Sequence, residues 1–144
     1  MARLLAKAKT SSVNHRSTSA LAALSASCRD LDQWPRSWMG LDTDLPPGER
    51  LLASLRPFLE QLAASNLSPT TIRRHVDNVW RLGGEVIRDL HDDPSLRKVA
   101  ADRLLRTVVH QDGGPLLYNG SEDEQRSFDS TCRKLHRFLT QPQR

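Results

Sequence analysis

The sequence predicts an all-α fold in which a four-helix bundle follows a disordered, basic N-terminal tail. Apolar residues recur three and four positions apart through four segments between residues 49 and 139, which is the spacing of one helix face. Helix-start signals separate these segments, because a capping residue precedes proline at Ser68-Pro69 and again at Asp93-Pro94. No segment alternates apolar and polar residues as a half-buried strand does.

Length and composition exclude several classes of protein. A chain of 144 residues fits one domain with a tail, which excludes a two-domain enzyme. With 38% hydrophobic and 26% charged residues, it is too polar for a membrane protein yet apolar enough to bury a core. No apolar run approaches about 18 residues, so we expect neither a membrane partner nor secretion. Cys28 and Cys132 are too few for a disulfide framework and lack metal-ligand spacing, so we expect a cytoplasmic protein without zinc or another cofactor.

The net charge of +4 originates in the N-terminal tail. Residues 1–29 hold five basic side chains and no acid, whereas the other 16 basic residues are balanced by all 17 acidic ones. Overall basicity is therefore weak evidence that the body binds DNA. The tail, rich in Ser, Ala and Thr, is interpreted as disordered; the alternatives are a basic arm that contacts phosphates and an organellar transit peptide.

Residues 30–47 are predicted to form an irregular connector that contains Trp34 and Trp38. In one interpretation the two tryptophans pack on the helical body as a lid, because large aromatic side chains dominate burial. In the other they form a stacking or partner-docking surface. The helical domain is expected to cover residues 48–140.

The first predicted helix runs from Glu49 to Ala64, and Pro57 is expected to kink or interrupt it. The second runs from Pro69 to about Leu90 behind the Ser68 cap. Within it, Gly83-Gly84 either bends the helix or lets another helix approach closely.

The third predicted helix starts at Pro94 and continues to about His110. Its expected inward residues are Leu96, Val99, Ala100, Leu104 and Val108. The fourth follows a capping box of Ser121 and Glu124.

The stretch from Leu51 to Leu90 carries the most specific sequence signal. An apolar helix leads into Asn66-Leu67-Ser68-Pro69-Thr70-Thr71-Ile72 and then into a long second helix. This arrangement resembles the core-binding, SAM-like N-terminal domain of tyrosine recombinases and phage integrases, over roughly the last two thirds of the chain. The resemblance implies a domain that packs on one face of double-stranded DNA as half of a C-shaped clamp. His75, where the family often has an aromatic residue, and the long segment 112–120 depart from the family pattern.

The catalytic half of such a recombinase has no counterpart in this sequence. Its chemistry needs an Arg, a His-x-x-Arg pair and a nucleophilic Tyr. No histidine here is followed by Arg three positions later, and the sole tyrosine, Tyr118, lies in a predicted turn. We therefore expect a non-catalytic chain with no small-molecule substrate, which acts in recombination or integration with a recombinase catalytic subunit as a second partner.

Residues 67–79 also resemble the recognition helix of quorum-sensing-regulator helix-turn-helix domains, in which a Ser-capped basic helix enters the major groove. That motif needs a small residue near position 61 and an apolar one near position 65. Gln61 and Ser65 occupy these positions, so this transcription-regulator hypothesis ranks below the recombinase resemblance.

The candidate DNA-contacting residues are cations near helix ends, together with one threonine. They are Thr70, Arg73 and Arg74 on the second helix, Arg97 and Lys98 on the third, and Arg133 and Lys134 on the fourth. Each has a structural alternative. Arg73, Asp77, Arg81 and Glu85 are spaced as a self-satisfied charge ladder, and the fourth-helix cations complement the helix dipole.

Two further expectations concern His75 and the tryptophans of the connector. His75 is interpreted as a half-exposed packing residue rather than a base or ligand. If DNA binding fails, the remaining hypothesis is a protein-interaction bundle that docks a partner through Trp34 and Trp38.

Overall fold

The computed structural model describes residues 30–141, and the predicted tail lies outside them. The all-α prediction is confirmed, because this part of the chain contains helices and no strand. Residues 30–141 contain five α-helices, which we number α1 (Trp34–Trp38), α2 (Leu45–Ala63), α3 (Pro69–Asp92), α4 (Ala101–Val108) and α5 (Glu122–Thr140).

The segment before α2 is ordered rather than irregular. Short 3-10 turns at Leu31–Gln33 and Asp42–Asp44 flank α1, and α2 begins at Leu45, four residues before the predicted start. Proline in the first turn of α1 and of α2 supplies helical φ angles where no N–H partner is needed. Burial of Leu31, Trp34 and Trp38 makes this segment part of the hydrophobic core.

Helix α2 continues through Pro57 without interruption. Pro57 has no N–H to donate to the carbonyl of Ala53, four residues earlier. Both residues are exposed, so water can take the place of the missing donor. The opposite face supplies the predicted apolar stripe: Leu51, Leu52, Leu55, Phe58, Leu59 and Leu62 are all buried.

Helix α3 crosses the molecule and packs against α1, α2 and α5. Its predicted start is confirmed, since Ser68 caps the helix and Pro69 opens it. Gly83 allows α1 to pack closely on α3, because the Trp38 ring occupies the space that a side chain at position 83 would fill. Trp80, which follows the buried Val79, is 41% exposed.

The predicted third helix is divided in two. Pro94–Lys98 forms a 3-10 turn, Val99 and Ala100 are extended, and α4 follows. In an unbroken helix Leu105 would lie nine residues, or about two and a half turns, beyond Leu96 and would point away from its face. The break changes the helical phase, so that Leu105 is fully buried and Ala100 is exposed.

A 13-residue loop joins α4 to α5 and is fixed by polar contacts to α5. Gln125 accepts from the Leu117 N–H at 2.8 Å and donates to the Pro115 carbonyl at 3.0 Å. The predicted turn at Tyr118 is confirmed, and Asn119 within it has φ 59°. The capping box of Ser121 and Glu124 is also confirmed.

Candidate nucleic-acid interface

The start of α3 presents exposed hydrogen-bond donors and positive charge. Ser68 Oγ accepts from the Thr71 N–H at 3.2 Å, and the Ser68 hydroxyl donates to Thr71 Oγ1 at 2.9 Å. Thr70, Arg73 and Arg74 are exposed on the first turns that follow. Pro69 has no N–H, and the N–H groups of Thr71 and Ile72 are bonded to Ser68, so the exposed arginines supply most of the attraction of this end for anions.

A buried polar network joins α3 to α5 just beyond this point. His75 is 2% exposed, and its Nδ1 lies 2.7 Å from Thr131 Oγ1. Asn78 Nδ2 donates to Thr131 Oγ1 at 2.9 Å and to the Ser127 carbonyl at 3.1 Å. The prediction that His75 is half-exposed is wrong, because His75 lies on the apolar face of α3, three residues after Ile72.

The charge around His75 shows which cations the fold brings together. Burial lowers the pKa of His75 from 6.5 to about 4, with further lowering by the positive charges of Lys134 and Arg74. Arg74 on α3 and Lys134 on α5 therefore lie around the same neutral imidazole. We call Thr70, Arg73, Arg74 and Lys134 the basic patch. None of its three cations forms an ion pair with an acid of residues 30–141.

Arg133 is next to Lys134 in sequence but has a different environment. Its Nη1 donates to the Asp112 carbonyl at 3.2 Å, which ties α5 to the loop after α4. This contact gives Arg133 a structural partner, so we do not include it in the basic patch.

Arg97 and Lys98 lie far from the basic patch. They follow the C-terminal end of α3, and this helix of 24 residues is about 36 Å long. Arg97 Nη2 contacts Asp44 Oδ1 at 2.8 Å, and its Nη1 donates to the Thr43 carbonyl at 3.1 Å. The guanidinium of Arg97 is thus held by protein acceptors, whereas Lys98 is exposed, and a DNA contact by either stays a prediction.

Asp44 is the centre of a polar clamp that sequence reasoning missed. Its carboxylate is fully buried and accepts from the N–H groups of Gly40 and Leu41 at 2.8 and 2.9 Å. His91 Nε2 lies 2.8 Å from Asp44 Oδ2, and Arg97 completes the set. Burial raises the pKa of Asp44, but the hydrogen bonds from Arg97, Gly40, Leu41 and His91 outweigh it and hold this pKa well below its usual value.

Trp34 and Trp38 are 6% and 8% exposed, so the lid interpretation describes them and the partner-docking assignment is corrected. Their ring centroids are 5.9 Å apart at an interplanar angle of 56°. Trp38 Nε1 donates to the Trp80 carbonyl at 2.8 Å, and Trp80 Nε1 donates in turn to Ser37 Oγ at 2.8 Å. These contacts fix α1 against α3 and leave little of either buried ring for a partner.

The charge ladder predicted along α3 is absent from the described ion pairs. Arg81 instead pairs with Glu124 at the start of α5, with Nη1 and Oε2 3.5 Å apart. Arg73 is consequently left without the acidic partner that the ladder would have supplied.

Several other site classes receive no support from residues 30–141. No group of three or more His, Cys, Asp or Glu among them is arranged to hold a metal ion. None of the helices described in this range has the length and apolar character needed to cross a membrane. Cys132 is buried, and burial raises the pKa of its thiol to about 12, so it is not an activated nucleophile.

Comparison of the chain with family models, with curated proteins and with solved structures gives no significant match.

Proposed function

We propose that this chain is a non-catalytic module that binds the backbone of double-stranded DNA through the basic patch. The single observation that carries the proposal is the 2.7 Å contact of His75 Nδ1 with Thr131 Oγ1, which joins the segment of α5 that carries Lys134 to α3 beside Arg74 and its capped start. Unpaired cations at a helix N-terminus match phosphate groups in both charge and hydrogen-bond geometry.

The resemblance to the recombinase core-binding domain supports the same function from the sequence side. In this proposal α2–α5 form the SAM-like bundle, the junction at Asn66–Ile72 leads onto DNA, and a separate recombinase subunit supplies catalysis. The module would act in site-specific recombination or integration in the reducing cytoplasm, and residues 1–29 would add sequence-independent attraction to phosphates.

Fluorescence anisotropy of a labelled random duplex at several salt concentrations tests the proposal. The full chain should bind with an affinity that falls steeply with salt, because phosphate contacts release counterions. The double variant Arg73→Ala/Arg74→Ala should bind at least about fivefold more weakly and reduce the slope of log affinity against log salt by about 2.

A matched control removes equal charge at the other end of α3. Arg103 and Arg106 are exposed on α4, whose Leu104 lines a small cavity together with Leu90 near the C-terminus of α3. Arg103→Ala/Arg106→Ala should preserve binding. Equal loss in both double variants would contradict the assignment, and loss of binding by a chain shortened to begin at Asp30 would assign it to the tail.

A second candidate function, docking of a protein partner, is favoured by a separate observation. The loop after α4 exposes 84% of Leu116 and 63% of Tyr118, while Leu117 between them is buried. The Arg88 guanidinium lies 4.4 Å from the centroid of the Tyr118 ring. An exposed Tyr from the loop held against an exposed Arg from α3 is typical of binding hot spots. Leu116→Ser/Tyr118→Ser should then abolish co-elution with a recombinase catalytic subunit without changing DNA affinity.

A further inference from the structure

A cavity of about 210 Å³ opens between the end of α2 and the last turns of α5. Its apolar wall includes Phe58, Leu62 and Phe138, with the two phenylalanine rings 5.5 Å apart between centroids. Pockets for drug-sized ligands span about 300 to 1,000 Å³, so this one suits a smaller ligand of about ten heavy atoms.

The polar lining of the cavity carries positive charge and no negative charge. Lys134 and Arg137 both line it, and neither forms an ion pair within residues 30–141. Arg137 lies in the last turn of α5, where the helix dipole favours positive charge. Lys134 lies before that turn, so the helix dipole does not explain its position. Because no acidic residue lines the cavity, both cations are available to an anion.

The remaining polar groups limit how a ligand is held. The Ser65 hydroxyl is occupied, since it donates to the Leu62 carbonyl at 2.7 Å and accepts from the Leu67 N–H at 3.3 Å. The side-chain amides of Gln61 and Gln141 complete the lining. The lining therefore offers a ligand two cations and two side-chain amides beside aromatic carbon.

We propose that this cavity binds a small carboxylate with an apolar body, of the arylalkanoic or branched-chain acid type. The planar Arg137 guanidinium matches a carboxylate with two parallel hydrogen bonds, and Lys134 adds charge. The apolar body lies against Phe138. The ligand is bound without chemical change. The site shares Lys134 with the basic patch, whereas Arg137 and the aromatic wall lie outside that patch.

Titration of 3-phenylpropionate into the full chain, followed by backbone amide chemical shifts, tests the proposal without DNA. We expect saturable shifts at Leu67 and Phe138 with a Kd of about 0.1 to 1 mM, the range open to a ligand of this size. The neutral 3-phenylpropionamide should bind at least about fivefold more weakly, because it lacks the charge. Acetate, which lacks the apolar body, should give no saturable shift.

The variant Arg137→Gln should raise the Kd at least about fivefold, while Arg103→Gln on α4 removes the same charge and should leave it unchanged. Unaltered amide spectra away from the cavity show that each variant is folded. Equal binding of acid and amide, saturable shifts with acetate, equal weakening in both variants, or no saturation up to about 10 mM would each overturn the proposal.

Discussion

The indole of Trp38 lies against the bare backbone of Gly83, so closely that a Cβ placed on this glycine would come within 2.1 Å of Trp38 Cζ2. The ring cannot easily move aside, because its N–H donates to the Trp80 carbonyl at 2.8 Å. This contact joins α1 to the helix that carries the basic patch.

Gly83→Ala should therefore lower the free energy of unfolding by about 1 to 3 kcal/mol, since overpacking outweighs the gain in helix propensity. Gly84→Ala is the matched control, because its added Cβ would meet Trp38 only at 3.6 Å. That substitution should raise stability by about 0.5 to 1 kcal/mol. Urea unfolding of both variants checks the pair, and destabilisation of similar size at both positions would contradict the packing argument.

Asp44→Asn should be among the more damaging single changes in the molecule. It removes the charge that Arg97 and His91 share inside the fold, and we expect a loss of about 2 to 4 kcal/mol at neutral pH, where the low pKa of Asp44 keeps the carboxylate ionised. Asp32→Asn breaks an exposed ion pair with Arg56 and should change stability by less than about 1 kcal/mol. Chemical unfolding at neutral pH distinguishes them, and similar small losses would show that the clamp contributes little.

His75 should make the protein less stable in acid. The unfolded chain takes up a proton near pH 6.5, whereas the folded imidazole has its pKa lowered to about 4. Between these values the unfolded state binds more protons, so the free energy of unfolding falls as the pH drops, by about 3 kcal/mol over the whole interval.

His75→Gln keeps a side chain able to bond Thr131 but removes this titration. The variant should lose less stability between pH 6.5 and 4. The carboxylates titrate in both proteins, so their contribution cancels when the two stability curves are compared. Parallel stability curves for the two proteins would refute this prediction. A His75 imidazole that titrates near pH 6.5 by NMR in the folded protein would also refute it.

Cys132 should resist thiol reagents while the protein is folded. Its thiol is 1% exposed, and burial raises its pKa to about 12, so very little thiolate is available near neutral pH. Alkylation by N-ethylmaleimide, located by peptide mass spectrometry, should be slow in buffer and fast in urea. Rapid modification of Cys132 in buffer would show that the α5 face opens readily.

Local signals in the sequence were sufficient to predict where α3 and α5 begin. The Ser68 cap and the box of Ser121 and Glu124 act within one helical turn, so a short stretch of sequence contains the whole interaction. The Ser68 cap also predicts that Arg73 and Arg74 lie in the first turns of α3.

Long-range contacts determined what sequence reasoning missed. Nothing beside Asp44 indicates that it meets His91, 47 residues later, or Arg97, 53 residues later. The break before α4 depends on the burial of Leu105 against the rest of the core. Lys134 joins Arg74 only because His75 and Asn78 lie on the apolar face of α3 and pair with α5, and the three-residue spacing of His75 from Ile72 was the available signal.

The docking of α1 on Gly83 also makes the segment before α2 part of the folded body. A truncation at residue 48, which the helix pattern alone favours, would delete the Trp38 ring that covers Gly83 and the carboxylate that neutralises Arg97. Such a fragment would expose an apolar groove along α3 and a half-desolvated guanidinium, and aggregation would be its expected fate. The stretch from Leu31 to Asp44 is therefore an integral brace of the bundle, because its burial covers α3 and its carboxylate holds Arg97.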